Sequence, residues 1–378
     1  MGQRRISRVA DPSGRLSSWS VNSGKFERTC LGIIVLAIVL LLLVRAKFFL
    51  IPLAISVLLV SLIGAAIDRI VRLRLGPFVI PHWLASLITV TVIGFVLMEL
   101  YGFVASQIDV VLSTLPIYIE RGELALVRIF SLLGEDVARG VLDGFRDINV
   151  NSYLRMAAGS AGTMLTVASM LVVYVGFLFT ERVHFEAKLD KLFPQSERAQ
   201  HVRQILFSIR RSVHHYVLVK TAVSVLTALV CYGVMRLFRL DFAELIALLT
   251  FLLNFIPTLG TVVATTLPVL VALVQFDALL PVLGLLVSIG FVQFVLGNIV
   301  DPMLMGRALQ MSPFVIILSL TVWSAIWGVP GMFLAVPLMA MIMIVCSYVD
   351  ALRPVAILLS RDGDLLSEED EAREVPAG

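Results

Sequence analysis

The 378 residues of this chain are 59% hydrophobic and 15% charged, which excludes an ordinary soluble domain, where about half the residues are apolar and a quarter charged. The formal net charge of +3 is small and spread among loops, so it gives no indication of nucleic-acid binding. Apolar runs of roughly 15 to 23 residues recur along the chain and predict membrane-spanning helices rather than barrel strands. We therefore expect an all-α, polytopic helical bundle in the lipid bilayer.

The N-terminal part of the chain predicts a basic tail followed by three spans. Residues 1–30 carry a basic excess and are expected to form a cytoplasmic tail. Residues 31–106 contain three apolar runs, and the first two follow each other so closely that they predict a helical hairpin. No small-residue cleavage site follows the first run, so it is not interpreted as a signal peptide. The loop before the third span is basic, which places it in the cytoplasm under the positive-inside rule.

The middle of the chain continues this alternation. Residues 107–155 are amphipathic without a basic excess, and we expect them to lie outside as short helices on the membrane or the bundle. Residues 156–180 form a fourth span, and residues 181–215 a basic cytoplasmic linker. Residues 350–378 form an acidic, disordered tail. Both termini are therefore predicted to be cytoplasmic.

Residues 216–349 contain two long apolar segments that are each broken by glycine and proline. Proline frees a backbone carbonyl, and glycine lets the chain reverse, so these residues predict hinges: Pro257, Gly260 and Pro268 in the first segment, and Gly328, Pro330, Gly331 and Pro337 in the second. Paired interruptions of this kind indicate the substrate site of a secondary transporter. Two kinked spans that only pack well are the alternative.

The arms on either side of each break are short, which favours re-entrant hairpins over two full crossings, although charge bias does not separate these cases. A span followed by a broken segment occurs twice, once running outward and once inward. This pattern predicts an inverted repeat across residues 216–349.

Polar residues within this region are the candidates for solute binding, because such groups at membrane depth are usually paired or functional. They are Lys220, Asn254, Gln293 and Asn298. Their donors and amide acceptors suit a hydroxyl-rich, weakly anionic solute. Helix packing is the alternative role. We expect Lys220, Asn254 and Asn298 to line one pocket.

A short cytoplasmic loop follows the sixth span and contains Asp301, Pro302, Gly306 and Arg307, and we interpret Asp301 and Arg307 as an interfacial ion pair. No P-loop spacing occurs in the sequence, so any transport is secondary or passive. No Ser/His/Asp arrangement stands out, and the cysteines lie far apart, so we expect no enzyme activity, cofactor or metal site.

A series of short motifs follows in order through this region: Tyr216 to Lys220, Leu252-Leu253-Asn254-Phe255-Ile256-Pro257 with Gly260, Gly297-Asn298, Asp301-Pro302, Met305-Gly306-Arg307, Ser312-Pro313, Gly328 with Pro330-Gly331, and Ala335-Val336-Pro337-Leu338. In these motifs the chain resembles the autoinducer-2 exporter family over residues 156–349. The resemblance implies a homo-oligomeric permease of the bacterial inner membrane with a small-molecule cargo. Members have been linked to signal export and to sodium/proton antiport.

The sequence departs from this family at one polar motif. Most members carry a Gln-x-x-Glu-Asn pattern, and here Gln293 is present while Leu296 occupies the acidic position. The departure resembles the quorum-signal transport subgroup and removes a carboxylate that proton or sodium coupling would use. Our first hypothesis is therefore alternating-access export of a small polar metabolite, such as a furanosyl signal. A cation/proton antiporter and a non-transporting scaffold are the alternatives.

Overall fold

The structure of the protein is a computed structural model that describes residues 17–72, 82–130, 161–192, 197–305 and 311–363. Within these ranges the regular elements are helices, together with one isolated bridge between Met311 and Ser360. The predicted all-α class is confirmed. The helices are α1 Ser17–Arg45, α2 Lys47–Arg72, α3 His82–Phe130, α4 Ala161–Leu192, α5 Glu197–Leu237, α6 Ala243–Leu253, α7 Leu259–Gln275, α8 Leu279–Val295, α9 Asp301–Met305, α10 Pro313–Trp327, α11 Val329–Tyr348 and α12 Arg353–Leu359.

The chain divides into two compact units, Met1–Leu50 and Ile51–Gly378. In the first unit, α1 begins at Ser17, inside the predicted tail, and its apolar side chains from Leu31 to Val44 are largely exposed. The boundary falls within the first turn of α2, and the second unit contains the rest of α2 and the helices α3 to α12.

Four of the described helical stretches are long and apolar enough to cross a membrane: Gly94–Val127, Val202–Leu237, Leu279–Met305 and Val329–Tyr348. A fifth arises if Cys30–Arg45 and Lys47–Ser61 together form one span. Large apolar side chains such as Leu280, Phe291 and Phe314 point outward with 81%, 67% and 71% of their surface exposed. Water would penalise so much exposed apolar surface, whereas a bilayer solvates it. The chain is therefore a polytopic membrane protein.

The long helices run across boundaries that composition had suggested. α3 continues for 49 residues, past the predicted end of the third span at Ser106, and reaches Phe130 without a break. The expected short helices after residue 107 are therefore one continuation of α3 as far as the structure describes this segment. Similarly, α5 joins part of the predicted linker to the fifth span in one helix of 41 residues. In α5 no glycine or proline interrupts the polar stretch, so nothing ends the helix there, whereas α3 continues past Pro116, which lies inside it.

The first broken segment consists of α6, with 11 residues, and α7, with 17. At 1.5 Å per residue, α6 is about 16 Å long, roughly half the hydrocarbon thickness. Between the helices, the Leu259 N–H donates to the Pro257 carbonyl at 2.7 Å, while Thr258 has φ 64° and ψ −49°. This i to i+2 bond with positive φ is a classic γ-turn, which is a strained conformation for a threonine.

The second broken segment consists of α10, with 15 residues, and α11, with 20, joined at Gly328 with φ 67°. The expectation of two short arms is wrong here, because α11 meets the length of a complete crossing. The Ser319 hydroxyl donates to the Ala335 carbonyl at 2.9 Å, so α10 and α11 pack as an antiparallel pair.

The prolines assigned to the breaks have different positions. Pro257 lies within the first break, and Pro330 lies in the first turn of α11, where a missing N–H costs nothing. Pro268 and Pro337 lie inside α7 and α11 and are fully buried. These last two shape continuous helices and do not end them.

α5 is the central helix of the second unit. It contacts α6, α8, α9 and α11, while α6 contacts α7 and α7 contacts α8. One buried apolar cluster joins its C-terminal part to α6, α7 and α8, and its members are Cys231, Met235, Leu240, Ala243, Ile246, Ala272, Val282, Leu285 and Ile289. This packing fixes one face of α5 against both the first broken segment and the first half of α8.

Candidate solute-binding site

One face of α5 carries a row of buried polar side chains. Tyr216, Lys220, Ser224 and Thr227 follow each other at helical spacing and are between 0% and 6% exposed. A polar group that is removed from water costs free energy unless it finds a partner. The partners of these side chains therefore define the polar part of the bundle, and we call these four residues the α5 row.

Lys220 forms a buried ion pair with Asp301. Its Nζ donates to Asp301 Oδ2 at 2.6 Å, and the two side chains are 7% and 20% exposed. Asp301 is the first residue of α9, which packs against α5. Losing one member of such a pair leaves an uncompensated buried charge. The ion pair thus ties the end of the α8 region to the centre of α5.

Ser224 receives a hydrogen bond from Asn254 one turn further along α5. Asn254 Nδ2 donates to Ser224 Oγ at 3.0 Å, and both side chains are buried. Asn254 follows directly after α6, and its own N–H donates to the Thr250 carbonyl at 3.0 Å. Two successive turns of α5 therefore hold the start of the first break and the start of α9.

The other two candidate residues, Gln293 and Asn298, do not join the contacts that Lys220 and Ser224 make. Gln293 is buried, and its Nε2 donates to Cys231 Sγ at 3.7 Å. Cys231 follows Lys220 by eleven residues, or about 16 Å along the helix axis. The side chain of Asn298 is exposed and makes no hydrogen bond among the residues that the structure describes. Lys220 belongs to the α5 row and Asn254 bonds to it through Ser224, whereas Gln293 and Asn298 lie apart from the row.

The predicted loop ion pair is only partly within the described residues. Asp301 is paired with Lys220, and Pro302 is exposed in the first turn of α9. Gly306 and Arg307, the proposed partner, lie outside the described ranges. The sequence separation of 81 residues between Lys220 and Asp301 explains why their contact had no local signal.

A π-helical segment, Leu296–Val300, separates α8 from α9. Such segments are rare and often mark functional sites. Leu296 is buried at its first position, and a Cβ at Gly297 would lie 3.6 Å from Thr261 Cγ2 of α7. The π segment therefore packs beside the turn that follows the first break.

An aromatic pair joins the two broken segments. The rings of Phe255 and Phe333 stack with centroids 4.6 Å apart and an interplanar angle of 29°. Phe255 lies in the first break and Phe333 in the early part of α11. Sequence reasoning missed this contact because phenylalanine in an apolar run carries no distinguishing signal.

Metal binding finds no support among the described residues. They contain no group of three or more His, Cys, Asp or Glu side chains that could hold a metal ion.

The apolar helices pack around a row of buried polar contacts and are broken twice by glycine and proline, which defines a polytopic membrane protein. A family model described as "AI-2E family transporter" matches residues 31–350, and the chain belongs to this family. It is therefore a membrane transporter.

Relatives agree with this assignment along most of their length. The AI-2 transport protein TqsA of Escherichia coli K12 is 28% identical over 338 residues, which cover 87% of this chain and 95% of the relative. A protein of Borreliella burgdorferi assigned as a transport protein is 28% identical over 349 residues, covering 91% of this chain and 92% of the relative. A Haemophilus influenzae protein assigned in the same way is 26% identical over 332 residues, with 84% and 91% covered.

Proposed function

We propose that this protein exports a small polar metabolite, such as the quorum signal AI-2, across the bacterial inner membrane by alternating access. The similarity to a protein named for AI-2 transport supports the choice of cargo. The solute binds beside the α5 row, between the two broken segments. The proposal includes cytoplasmic termini, which the basic loops predict, and a homo-oligomeric assembly, which the sequence resemblance implies.

The observation that carries the proposal is the pair of contacts on successive turns of α5. Lys220 with Asp301 and Ser224 with Asn254 place hydroxyl, amide, ammonium and carboxylate groups within one short stretch of an otherwise apolar bundle. Because Asp301 neutralises Lys220, this stretch offers hydrogen bonds without a net charge. Such a surface suits a neutral or weakly anionic hydroxylated solute better than a bare cation.

The geometry of the breaks supports alternating access. α6 is too short to cross a bilayer alone, so α6 with α7 is consistent with a re-entrant hairpin. Gly260 and Gly331 each lie against a backbone carbonyl of the preceding helix, which supports an inverted repeat in which the two breaks correspond. The stacked rings of Phe255 and Phe333 join the two broken segments, and they would separate when one segment moves relative to the other.

Cation/proton antiport is the second candidate, and the buried carboxylate of Asp301 favours it. Antiport requires a carboxylate that binds the proton and the cation in turn, whereas the Asp301 carboxylate is already paired with Lys220. The acidic position of the family motif is occupied by Leu296, which is buried and cannot bind a cation through its side chain. Export is therefore the better supported proposal.

Everted membrane vesicles test the two proposals together. We expect vesicles containing the protein to accumulate AI-2, with vesicles lacking the protein as the control. Proton and sodium gradients are imposed separately, and the internal sodium and pH are recorded. Sodium movement against protons without AI-2 accumulation would reject the exporter in favour of the antiporter.

A further inference from the structure

Two polar atoms next to the Lys220–Asp301 ion pair are buried and have no hydrogen-bond partner among the described residues. They are the Tyr216 hydroxyl and the Asp301 Oδ1 oxygen. Tyr216 precedes Lys220 by one helical turn, and its side chain is 3% exposed. Lys220 engages Oδ2 of Asp301 and leaves Oδ1 open.

These two atoms belong to one place in the bundle. α9, which begins at Asp301, packs against α5, and the bond from Lys220 holds the Asp301 carboxylate one helical turn from Tyr216 along the same face of α5. A carboxylate oxygen and a phenol hydroxyl, each without a partner among the described residues, therefore belong to neighbouring positions around Lys220. The first accepts a hydrogen bond, and the second donates or accepts one.

Packing among the described residues does not account for this pair. Buried polar atoms in native structures nearly always have a partner, and each exception needs an explanation. The hydroxyls of Ser61 and Thr250 are also buried without a partner, but a serine or threonine in a helix can rotate toward the carbonyl four residues earlier. Neither a tyrosine hydroxyl at the end of a rigid ring nor a carboxylate oxygen has this alternative.

We propose that Tyr216 and Asp301 recognise two adjacent oxygen atoms of the transported solute, as in a vicinal diol or a hydroxy ketone. Asp301 Oδ1 accepts a hydrogen bond from one solute hydroxyl, while the Tyr216 hydroxyl donates to the neighbouring oxygen. Lys220 holds the carboxylate in place. The inference rests on the proposed function and adds the substrate class and two contact residues to it.

A bare monovalent cation fits this arrangement poorly. Lys220 Nζ lies 2.6 Å from Asp301 Oδ2, so a cation at the carboxylate would also face the ammonium. Two cations that share one carboxylate lie close together, and like charges so close repel strongly in a medium of low dielectric constant. A neutral hydroxylated solute satisfies both open atoms without this penalty.

The test compares solutes that differ by one hydroxyl on the purified full-length protein in lipid nanodiscs. The probes are AI-2, ribose and glycerol, and glycerol is compared with its analogue 1,3-propanediol, which has the same carbon chain but no adjacent hydroxyls. Binding is measured by calorimetry for the wild type and for Tyr216→Phe, which removes one oxygen atom at nearly constant volume.

We expect the wild type to bind a diol more tightly than its analogue. Tyr216→Phe should weaken diol binding about tenfold, the change expected when one hydrogen bond to a solute is lost, and leave binding of the analogue unchanged. The matched control is Tyr232→Phe on the same helix, whose hydroxyl bonds to Glu244 Oε1 at 3.2 Å outside this site. That variant should bind every probe as the wild type does.

The outcomes separate this inference from the proposed function. Equal diol affinity in the wild type and Tyr216→Phe overturns the inference and leaves export standing. The expected pattern with ribose or glycerol but not AI-2 supports the inference and rejects AI-2 as cargo. Binding of none of the probes by the wild type overturns both.

Thermal unfolding guards against a purely structural role for the Tyr216 hydroxyl. Because this atom has no partner among the described residues, Tyr216→Phe should unfold at the same temperature as the wild type or above it. A clear loss of stability in the absence of solute would show that the hydroxyl serves packing, and that result overturns the inference.

Discussion

The carbonyl oxygen of Trp323 occupies the space that a side chain on Gly331 would need. A Cβ at Gly331 would lie 2.0 Å from that oxygen, and a Cβ at Gly260 would lie 2.1 Å from the carbonyl oxygen of Leu253. Both distances are far below van der Waals contact, and backbone atoms are the obstacle in both cases. Each broken segment therefore closes on a glycine because no larger residue fits.

Gly331→Ala and Gly260→Ala should each destabilise the protein by about 1–3 kcal/mol or more, since the added methyl group forces two backbones apart. Transport of the cargo should also be lost, because the added methyl group changes the backbone geometry of the break. Thermal unfolding in detergent and vesicle uptake measure the two effects. Gly290→Ala in α8 is the matched control, because a Cβ there meets nothing within 4 Å. Wild-type behaviour in both break variants would contradict the close approach.

Thr258 and Gly328 both have positive φ, at 64° and 67°, but only one of them is a glycine. Thr258→Gly should relieve strain and raise the free energy of unfolding by roughly 0.5–1 kcal/mol. Gly328→Ala should lower it by about 1–3 kcal/mol, although a Cβ there meets no neighbour within 4 Å, because the cost is conformational. Chemical denaturation of both variants checks the opposite signs. A destabilising Thr258→Gly would show that the γ-turn is not strained.

Lys220→Met should destabilise the protein by about 3–5 kcal/mol, because it leaves the buried carboxylate of Asp301 without its partner. Lys220→Met combined with Asp301→Leu should recover much of this loss, since no unpaired charge remains. Transport should fail in both variants. A double-mutant cycle on thermal unfolding, completed with Asp301→Leu, measures the coupling. Additive effects would mean that the ion pair contributes nothing.

Asn254→Ala should weaken solute binding by about 1–3 kcal/mol, or roughly tenfold or more, because its amide lies at the α5 row, and Asn298→Ala tests whether the solute also reaches the exposed amide after α8. Only Asn254→Ala should also lower stability, because Asn254 bonds to Ser224 while Asn298 is exposed. Lys188→Ala is the control, since Lys188 forms an exposed ion pair with Glu181, and such pairs contribute little. Unchanged affinity in both asparagine variants would assign them to helix packing.

The orientation of the chain is tested with single cysteines in a background without Cys30, Cys231 and Cys346, which are free thiols. A cysteine at Glu135 should react with an impermeant reagent added outside intact cells, and a cysteine at Lys188 should not. Membrane permeabilisation should expose the second site. Labelling in the reverse pattern would invert the predicted topology.

The sequence predicted the class of the fold because long apolar runs have few alternatives to helices in a bilayer. It could not show that α3 passes Ser106, since the polar residues that follow still fit a helix. It selected Lys220 and Asn254 from their polarity alone. Their partners Asp301 and Ser224 lie 81 and 30 residues away, and such separations are set by tertiary packing.

The π segment Leu296–Val300 has a consequence for how this region tolerates insertions and deletions. Each residue of an α-helix turns the chain by about 100°, and a π turn accommodates one residue more than an α turn does. A π turn takes up this extra residue while keeping the helix after it in nearly the same angular phase, so Asp301, directly after the segment, still faces Lys220. Deleting one residue between 296 and 300 would convert the π turn into an α turn and leave the carboxylate facing α5. The same deletion inside an α-helix would rotate every following residue by about 100°, so the π segment is the place in this region where the loss of one residue is best tolerated.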